Sequence, residues 1–281
     1  MPINTYNILH ELPAALLGVA TGALVLWFAQ KIRRVRICGD HPRNAGISGE
    51  ALSERSQTQM EGVNEYVRQL TARQIRKNKH REFVGGLWEE IGTHQLNFLK
   101  RHGLMSDHLL LDVGCGCLRG GIPCIRYLEA GNYFGLDINA SLVKAGLIEL
   151  EREGLTERRP NLLVNDKFEF SRFDRKFDYA IALSVFTHLP MNHIIRCLAE
   201  IQKVLRPGAQ FFATFFEAPS SAHLERVTHT PGGIQTNYDS DPYHYSFEEC
   251  RMMACAAGVQ VRLIGEWGHP RDQRMLSFTA G

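Results

Sequence analysis

The chain has 281 residues, of which 44% are hydrophobic and 22% charged, a composition that suits one α/β domain with an N-terminal extension. Its 32 basic and 30 acidic side chains leave a net charge of +2, so the overall electrostatics argue against a nucleic-acid partner. The seven cysteines are odd in number and contain no CxxC pair, which argues against a disulfide framework and favours a reducing compartment.

An uncharged apolar segment, residues 12–29, lies near the N-terminus. As a helix, these 18 residues would be about 27 Å long, close to the thickness of the hydrocarbon core of a bilayer. Basic residues follow the segment, whereas a secretory signal peptide carries its positive charge before the apolar run. These basic residues are Lys31, Arg33, Arg34 and Arg36.

We therefore predict that residues 1–36 form a single-pass membrane anchor with a basic flank, and that the bulk of the chain lies on the cytoplasmic side. The alternatives are a buried or surface-lying apolar helix, or a leader that comes from a misassigned start. Ala14, Gly18 and Gly22 recur every four residues, and this stripe of small residues favours weak homodimerisation in lipid.

Two segments separate this region from the main domain. Residues 37–60 are polar, rich in Gly and Ser and without periodicity, which predicts a linker. Residues 61–104 predict a helical cap or lid, because 61–80 is basic and helical in character and 87–99 carries an apolar stripe at helical spacing.

Three residues of this predicted lid are candidates to cover a site. Arg81, Phe83 and Trp88 precede the first strand of the main domain, and Arg81 is a candidate to contact substrate. Trp88 lies on the apolar stripe, which favours a position in the core.

Residues 105–281 alternate between short apolar runs and helical stretches, which predicts parallel strands with helices on both faces of a sheet. The predicted fold class is therefore α/β, a doubly wound, mostly parallel sheet with an N-terminal helical extension. A capping box, SFEE at 246–249, begins the last helix, and the last strand is expected to pair antiparallel beside the fifth. The predicted strands are 109–113, 133–138, 162–165, 177–184, 210–216, 260–265 and 274–279, and the helices between them include 121–128, 141–153 and 191–204.

The most informative motif is LLLDVGCGCLRGG at 109–121, a buried strand that runs into glycines before a helix. Glycine allows a sharp turn and a close approach of the backbone to a ligand, and the amides that begin a helix face anions. Asp137 ends the second strand 21 residues after Gly116, where a carboxylate can accept hydrogen bonds from both ribose hydroxyls of a nucleoside. The turn and the acidic residue together indicate a nucleoside cofactor, and a tight structural turn is the alternative.

The type of nucleoside cofactor depends on the residues around the glycines. A dinucleotide fingerprint requires GxGxxG, but Arg119 occupies the position of the third glycine. Asp112, which precedes the first glycine, suits the ammonium group of S-adenosylmethionine better than a pyrophosphate. These residues disfavour a nicotinamide-dependent oxidoreductase.

With these features the chain resembles the class I S-adenosylmethionine-dependent methyltransferases, in particular the bacterial small-molecule type. The resemblance covers roughly residues 85–281, in the order and near the spacing usual for the family, and implies S-adenosylmethionine as cofactor. The matching segments are LDVGCG (111–116), YFGLDIN (133–139), ND (165–166), FDYAIALSVFTHLP (177–190) and LRPGAQFFATFF (205–216).

The resemblance also implies a role for each matching position. The glycine turn would line the methionine part of the cofactor through Asp112, Gly114, Cys115 and Gly116. Asp137 would bind the ribose, and Ile138 would pack on the adenine. Asp166 would accept a hydrogen bond from the adenine amino group, with Lys167 or Phe168 against the ring, and Ser184 would border the cofactor near its methyl group.

One position departs from the family pattern. Leu118 stands where the family commonly has a third glycine, which leaves the shape of the loop open. The next residue, Arg119, is a candidate to pair with the methionine carboxylate, because a guanidinium binds a carboxylate in a bidentate manner. A solvated arginine on the first helix is the alternative.

Candidate residues for the methyl acceptor come from three segments. His188 lies just past the fourth strand and is the candidate general base, with a structural histidine that caps the next helix as the alternative. Tyr243 and His244 in DPYHYS are candidates for the acceptor pocket or for anchoring the loop, and His269 in GHPR is a weaker one. Cys115 and Cys117 form a CxC without paired ligands, so we predict no metal site.

The sequence thus predicts a methyltransferase that uses S-adenosylmethionine and a small-molecule or lipid-linked acceptor at the cytoplasmic membrane face. A membrane-tethered protein that binds the cofactor without turnover is the alternative. The altered glycine turn and the lack of an unambiguous base are the features that favour this alternative.

Overall fold

The computed structural model describes residues 36–37, 64–219 and 224–280. The predicted anchor segment 12–29 lies outside the described residues, as does most of the predicted linker 37–60. Within the described residues, no helix combines the length and the apolar character that a bilayer crossing requires.

The strands in the described part of the chain are β1 Arg36–Ile37, β2 Leu110–Val113, β3 Tyr133–Asp137, β4 Asn161–Val164, β5 Phe177–Ala182, β6 Leu205–Phe215, β7 Val227–His229, β8 Ile234–Thr236, β9 Val259–Gly265 and β10 Arg274–Ala280. Eight of them form one sheet in the order β1-β4-β3-β2-β5-β6-β10-β9, and β7 and β8 form a separate hairpin.

Every neighbouring pair of strands from β1 to β6 is parallel, whereas β10 is antiparallel to both β6 and β9. The predicted α/β class and the antiparallel last strand beside the fifth are therefore confirmed. The sequence did not predict β1, which pairs in parallel with β4 and lies where the predicted basic flank meets the predicted linker.

The helices lie in the intervals that the sequence predicted, with one correction. Residues 61–80 were expected to be helical, but the described part of this segment forms a 3-10 turn at Glu65–Val67, the short helix Ala72–Arg76 and the start of a second short helix, Lys79–Phe83. Asn78 separates these two helices because it adopts a left-handed conformation with φ of 58°. The helices are α1 Ala72–Arg76, α2 Lys79–Phe83, α3 Trp88–Arg101, α4 Gly121–Tyr127, α5 Ala140–Arg152, α6 Met191–Ile201 and α7 Phe247–Ala257.

The sheet positions a ligand site because its strand order reverses beside β2. From β2 the chain continues to β3 and β4 on one side, and it then returns to β5 and β6 on the other. In open α/β sheets, ligands bind outside the carboxyl ends of the strands at such a reversal. All residues of β2 and most residues of its neighbour β5 are buried. The carboxyl ends of these strands are therefore positioned by a well-packed core.

The core lies on both faces of the sheet. On one face, α6 and α7 pack over aromatic side chains such as Phe186 and Phe211. On the other, Phe98 of α3 lies 5.0 Å from the ring of Phe212 and 5.2 Å from that of Trp267. These aromatic contacts hold α3 against the sheet, beside the glycine turn that follows β2.

The helix α3 also approaches the glycine turn closely through Gly92. A Cβ atom at this position would lie 2.5 Å from the backbone oxygen of Arg119. The fold therefore uses glycine here to bring a helix against the loop that begins α4.

We predict that Gly92→Ala destabilises the protein by about 1–3 kcal/mol, because the added methyl group overpacks a rigid backbone contact. In an open helix the same change would stabilise by roughly 1 kcal/mol, so the sign of the effect tests the contact. Urea denaturation measures the free energy of unfolding. The control is Thr93→Ala, an exposed neighbour on the same helix; a Gly92→Ala protein as stable as the wild type would contradict the prediction.

Candidate functional site

A cleft of about 1080 Å³, part of it open to solvent, lies at the carboxyl edge of β2, β3 and β5. The structure brings eleven of the predicted site residues together along its wall: Asp112, Gly114, Cys115, Gly116, Arg119, Asp137, Ile138, Asp166, Phe168, Ser184 and His188.

The loop after β2 turns because Gly114 adopts φ of 71° and Gly116 adopts φ of 52°. A Cβ atom on Gly114 would lie 2.4 Å from Cγ2 of Val185, so the position excludes a side chain for steric reasons as well. The amides of Gly114 and Cys115 both donate to the carbonyl of Leu136 on β3. These two hydrogen bonds close the loop over the end of the neighbouring strand.

Leu118, the departure from the family pattern, adopts the left-handed conformation that the glycine would provide, with φ of 68°. Its side chain is fully buried, and its atoms lie beside Gly121 and Gly146, where Cβ atoms would approach them to 2.8 Å. Leu118 therefore packs between α4 and α5, and the loop accommodates the substitution by burying it.

Asp137 holds the loop in place from the end of β3. Its Oδ2 accepts a hydrogen bond from the amide of Gly116 at 2.7 Å, and its Oδ1 accepts one from the amide of Asn139 at 2.7 Å. Burial raises the pKa of Asp137 to about 6. Each carboxylate oxygen retains a second lone pair, so the group has acceptor capacity left for a ligand in the cleft.

A second carboxylate, Asp112, lies at the end of β2 on the same wall. The hydroxyl of Tyr133 donates to its Oδ2 at 2.6 Å, and burial raises its pKa to about 7. Gln95 of α3 lies beside it, and its side-chain amide partly offsets this rise in pKa. The wall at the end of β2 thus carries a buried acidic group.

Arg119 contributes the positive charge on this wall. Its Nη1 donates to the carbonyls of Val84 at 2.7 Å and Gly86 at 3.0 Å, and burial lowers its pKa to about 10. Among the described residues it forms no salt bridge with a carboxylate. Arg271 donates to the carbonyl of Gly85, so two arginines hold the turn at 84–86.

The far end of the cleft is lined by Ile138, Asp166 and Phe168. The buried side chain of Asn165 organises this end, because its Oδ1 accepts hydrogen bonds from the amides of Lys167 and Glu169. Asn165 itself lines the cleft, which the sequence did not predict, whereas Lys167 lies outside it.

A segment at residues 64–70, here called the cover, lies across the cleft. Nδ2 of Asn139 donates to the carbonyls of Tyr66 at 2.7 Å and Arg68 at 3.0 Å. Tyr66 and Asn64 line the cleft, and burial raises the pKa of Tyr66 to about 12. The sequence predicted a lid in this region but did not indicate these two residues.

His188 lies between the cover and the loop before α7. Its Nδ1 is 2.5 Å from Oδ1 of Asp241, and the ring of Tyr66 packs edge-on against its ring at 4.6 Å. The carbonyl of His188 accepts from Nδ2 of Asn64, which ties this residue to the cover. Asp241 belongs to the DPYHYS segment, in which the sequence analysis selected Tyr243 and His244 and missed the aspartate.

Ser184 lies at the end of β5 with a left-handed φ of 57°. Its hydroxyl donates to Oε1 of Gln273 at 3.0 Å, and its amide donates to the hydroxyl of Thr214. Neighbouring strands therefore fix the position of Ser184 at the cleft wall.

The structure corrects the placement of three predicted substrate residues, which it does not bring to the cleft. Arg81 pairs with Glu149 at 2.6 Å and stacks over Trp88, since a buried carboxylate on α5 attracts it. Tyr243 is part of the core under α7. His244 is fully buried, with Nδ1 2.8 Å from the hydroxyl of Thr236.

The other candidates also have structural surroundings. His269 lies outside the cleft wall, stacks on Trp267 at 5.4 Å and has a pKa that burial lowers to about 3. Phe83 packs beneath Tyr66 and Arg68 of the cover. In the described part of the chain, no group of three or more His, Cys, Asp or Glu residues could hold a metal ion.

Comparison with known proteins shows what the region that carries this cleft is similar to. Residues 111–211 match the family described as "Methyltransferase domain". The chain is 26% identical over 175 residues to malonyl-[acyl-carrier protein] O-methyltransferase of Priestia megaterium (strain DSM 319 / IMG 1521), covering 60% of this chain and 61% of that protein. It is 32% identical over 118 residues to phthiotriol/phenolphthiotriol dimycocerosates methyltransferase 1 of Mycobacterium ulcerans (strain Agy99), covering 40% and 39%.

The chain thus spans less than two thirds of the length of either relative. Among solved structures, it is similar to an S-adenosylmethionine-dependent methyltransferase from Clostridium acetobutylicum ATCC 824, with a TM-score of 0.54. This similarity covers 75% of this chain and 100% of that one at 9% identity, and it concerns the fold. Residues 111–211 thus match a methyltransferase domain, and the chain shares its fold with a solved S-adenosylmethionine-dependent methyltransferase.

Proposed function

We propose that this protein transfers a methyl group from S-adenosylmethionine to a small-molecule or lipid acceptor. The observation that carries the proposal is the distribution of charge on one wall of the cleft. Asp112 is a buried carboxylate, whereas Arg119 nearby carries a guanidinium that no carboxylate of the described protein pairs with. This wall suits a zwitterionic amino-acid group, which S-adenosylmethionine has and a dinucleotide lacks.

The remaining contacts follow from the same orientation. Asp137 would accept the ribose hydroxyls with the lone pairs that the amides of Gly116 and Asn139 leave free. Ile138 and Phe168 would enclose the adenine, and Asp166 would accept from its amino group. When bound, S-adenosylmethionine supplies an activated methyl group, and the protein holds the acceptor in line with it.

The class of acceptor is supported by the relatives rather than by a contact in the cleft. One relative is named for a malonyl group on an acyl-carrier protein and the other for dimycocerosates, and neither name refers to nucleic acid. The balanced charge of this chain agrees with that class.

The alternative of a cofactor-binding protein without turnover loses part of its support. Leu118, whose departure from the pattern favoured it, takes the left-handed conformation that the loop requires. The hydrogen bond between Gly116 and Asp137 is also present. The position of His188 beside Asp241 favours an enzyme over a silent binding protein.

We further propose that the enzyme acts at the cytoplasmic face of a membrane. The support is the uncharged run at 12–29, which lies outside the described residues, and the basic residues that follow it. Weak pairing of two such helices would follow from the small-residue stripe of Ala14, Gly18 and Gly22.

Isothermal titration tests the identity of the cofactor. S-adenosylmethionine and S-adenosylhomocysteine should bind, and NAD should bind much more weakly, because a pyrophosphate would meet the carboxylate of Asp112. A product assay with acceptor panels then separates an enzyme from a binding protein. Comparable or tighter binding of NAD would refute the assignment.

The pH dependence of binding tests the role of Asp112. Its pKa of about 7 in the free protein means that the carboxyl group is mostly neutral at pH 6 and mostly ionised at pH 8. The ligand's ammonium group favours the ionised form, so the affinity for S-adenosylhomocysteine should rise about tenfold between these pH values and then level off. Asp112→Asn should bind more weakly and lose this rise.

The matched control for this titration is Asp107→Asn, which removes an exposed carboxylate outside the cleft. It should retain the wild-type affinity and the wild-type pH dependence. If Asp112→Asn behaves in the same way as this control, another group holds the ammonium.

Fractionation tests the membrane proposal. The full-length chain should resist extraction with high salt and yield to detergent. The reason is that burial of each large apolar side chain of 12–29 in the bilayer stabilises the membrane-bound state by about 1.5–3 kcal/mol. A chain that starts at Arg43 should stay in solution and still bind the cofactor. Equal solubility of both chains without detergent would refute the anchor.

A further inference from the structure

The pairing of His188 with Asp241 on the cleft wall has a chemical consequence. We propose that His188 is the general base of the reaction, that Asp241 positions it, and that the methylated group is a neutral hydroxyl of the phenol or enol class. This inference rests on the proposed methyltransferase activity and names the acceptor chemistry of the same site.

The contact with Asp241 determines which ring nitrogen of His188 can act as a base. Nδ1 of His188 lies 2.5 Å from Oδ1 of Asp241, and an ionised carboxylate only accepts hydrogen bonds. Nδ1 therefore carries the proton, and Nε2 is the nitrogen with a free lone pair. A histidine whose second nitrogen is held by a carboxylate is the arrangement that a general base needs.

Backbone and side-chain hydrogen bonds hold His188 and Asp241 in place. The amide of Tyr243 donates to the carbonyl of Thr187 at 2.7 Å, which ties the loop of Asp241 to the residue before His188. The hydroxyl of Tyr245 donates to the carbonyl of Leu189 at 2.6 Å on the other side. These hydrogen bonds fix both partners from outside the cleft, and their side chains are only 15% and 16% exposed.

The groups around the imidazole ring of His188 determine how well it can accept a proton. The titratable groups against His188 are Asp241 from the loop and Tyr66 from the cover, and the amide of Glu65 also lies 3.5 Å from Oδ2 of Asp241. The charges of Arg119 and Arg271 lower the pKa of Tyr66, whereas those of Glu65 and Asp241 raise it. Asp241 is thus the anionic partner that stabilises a proton on the imidazole when His188 accepts one.

The need for a base depends on the protonation state of the acceptor group. A carboxylic acid is already ionised at neutral pH and an aromatic amine is already neutral with a free lone pair, whereas a phenol is protonated because its pKa is near 10. The wall around His188 is formed by Tyr66, Val185 and Leu189, which suits the flat apolar body of an aromatic or conjugated hydroxyl compound.

The reaction then balances without an additional reagent. The hydroxyl proton moves to Nε2 of His188 while the oxygen forms a bond to the methyl carbon of S-adenosylmethionine. The bond between this carbon and sulfur breaks, and its electron pair stays on sulfur, which becomes the neutral thioether. The imidazolium later releases the proton to solvent, and Asp241 remains ionised throughout.

The main experiment measures transfer of radiolabelled methyl groups to phenol, 4-nitrophenol, benzoate and aniline. Wild-type protein should methylate the phenols, and His188→Gln should lower kcat for phenol by about 10²–10⁴-fold. The loss should be much smaller for 4-nitrophenol, which is largely ionised without help at pH 8. A histidine that only supports the fold would reduce both rates alike.

Asp241→Asn tests the positioning role. It should lower kcat for phenol roughly tenfold or more and shift the pH profile, with little change in the affinity for S-adenosylhomocysteine. The matched control is Asp239→Asn, which removes the same charge from an exposed position in the same loop. His193→Gln on α6, outside the cleft wall, is the control for His188→Gln.

Two measurements distinguish the possible failures. If S-adenosylhomocysteine does not bind to wild-type protein, the proposed function itself fails. If it binds and only benzoate or aniline is methylated, or if His188→Gln retains the wild-type rate and pH profile with phenol, the present inference is refuted.

Nuclear magnetic resonance of the imidazole nitrogens decides the case in which no panel member reacts. The inference requires the Nδ1-protonated tautomer in the wild type at pH 8 and its loss in Asp241→Asn. An Nε2-protonated ring in the wild type refutes it.

Discussion

The site depends on one carboxylate, Asp137, which binds two backbone amides at once. Its Oδ2 holds Gly116 of the glycine turn, and its Oδ1 holds Asn139 at the start of α5. Asn139 in turn caps α5 through Ser141 and binds the carbonyls of the cover at Tyr66 and Arg68. The turn, the carboxylate proposed to bind the ribose and the cover are therefore fixed relative to one another by a short chain of hydrogen bonds that begins at the end of β3.

This arrangement explains why the cleft can keep unpaired charge. Asp112 and Arg119 lie on a wall whose backbone is held by the packed sheet and by the aromatic contacts of α3, so the two groups do not collapse onto each other. Burial raises the pKa of the carboxylate and lowers that of the guanidinium, and a zwitterionic ligand would stabilise both charged forms. The unfavourable state of the free cleft is thus a source of affinity for the ligand.

Most of the sheet could be predicted because its signals are local. The apolar runs of β2, β3 and β5 are largely buried, as is typical of strands covered on both faces of a sheet. The capping box at Ser246 begins α7 as expected. The features that were not predicted have weak local signals. The hairpin of β7 and β8 has strands of only three residues, and the residues of the cover that line the cleft depend on the side chain of Asn139, which is distant in sequence.

The class of fold and the residues proposed to bind the cofactor were predictable from the sequence, because a glycine turn and an acidic strand end act through the backbone at positions that chain order dictates. The surroundings of the residues proposed to bind the acceptor follow from tertiary packing. Asp241 reaches His188 across 53 residues of sequence, and Arg81, Tyr243 and His244 are drawn away from the cleft by Glu149, the core and Thr236. Such contacts depend on which distant side chains meet after packing, and neither periodicity nor spacing in the sequence encodes that meeting.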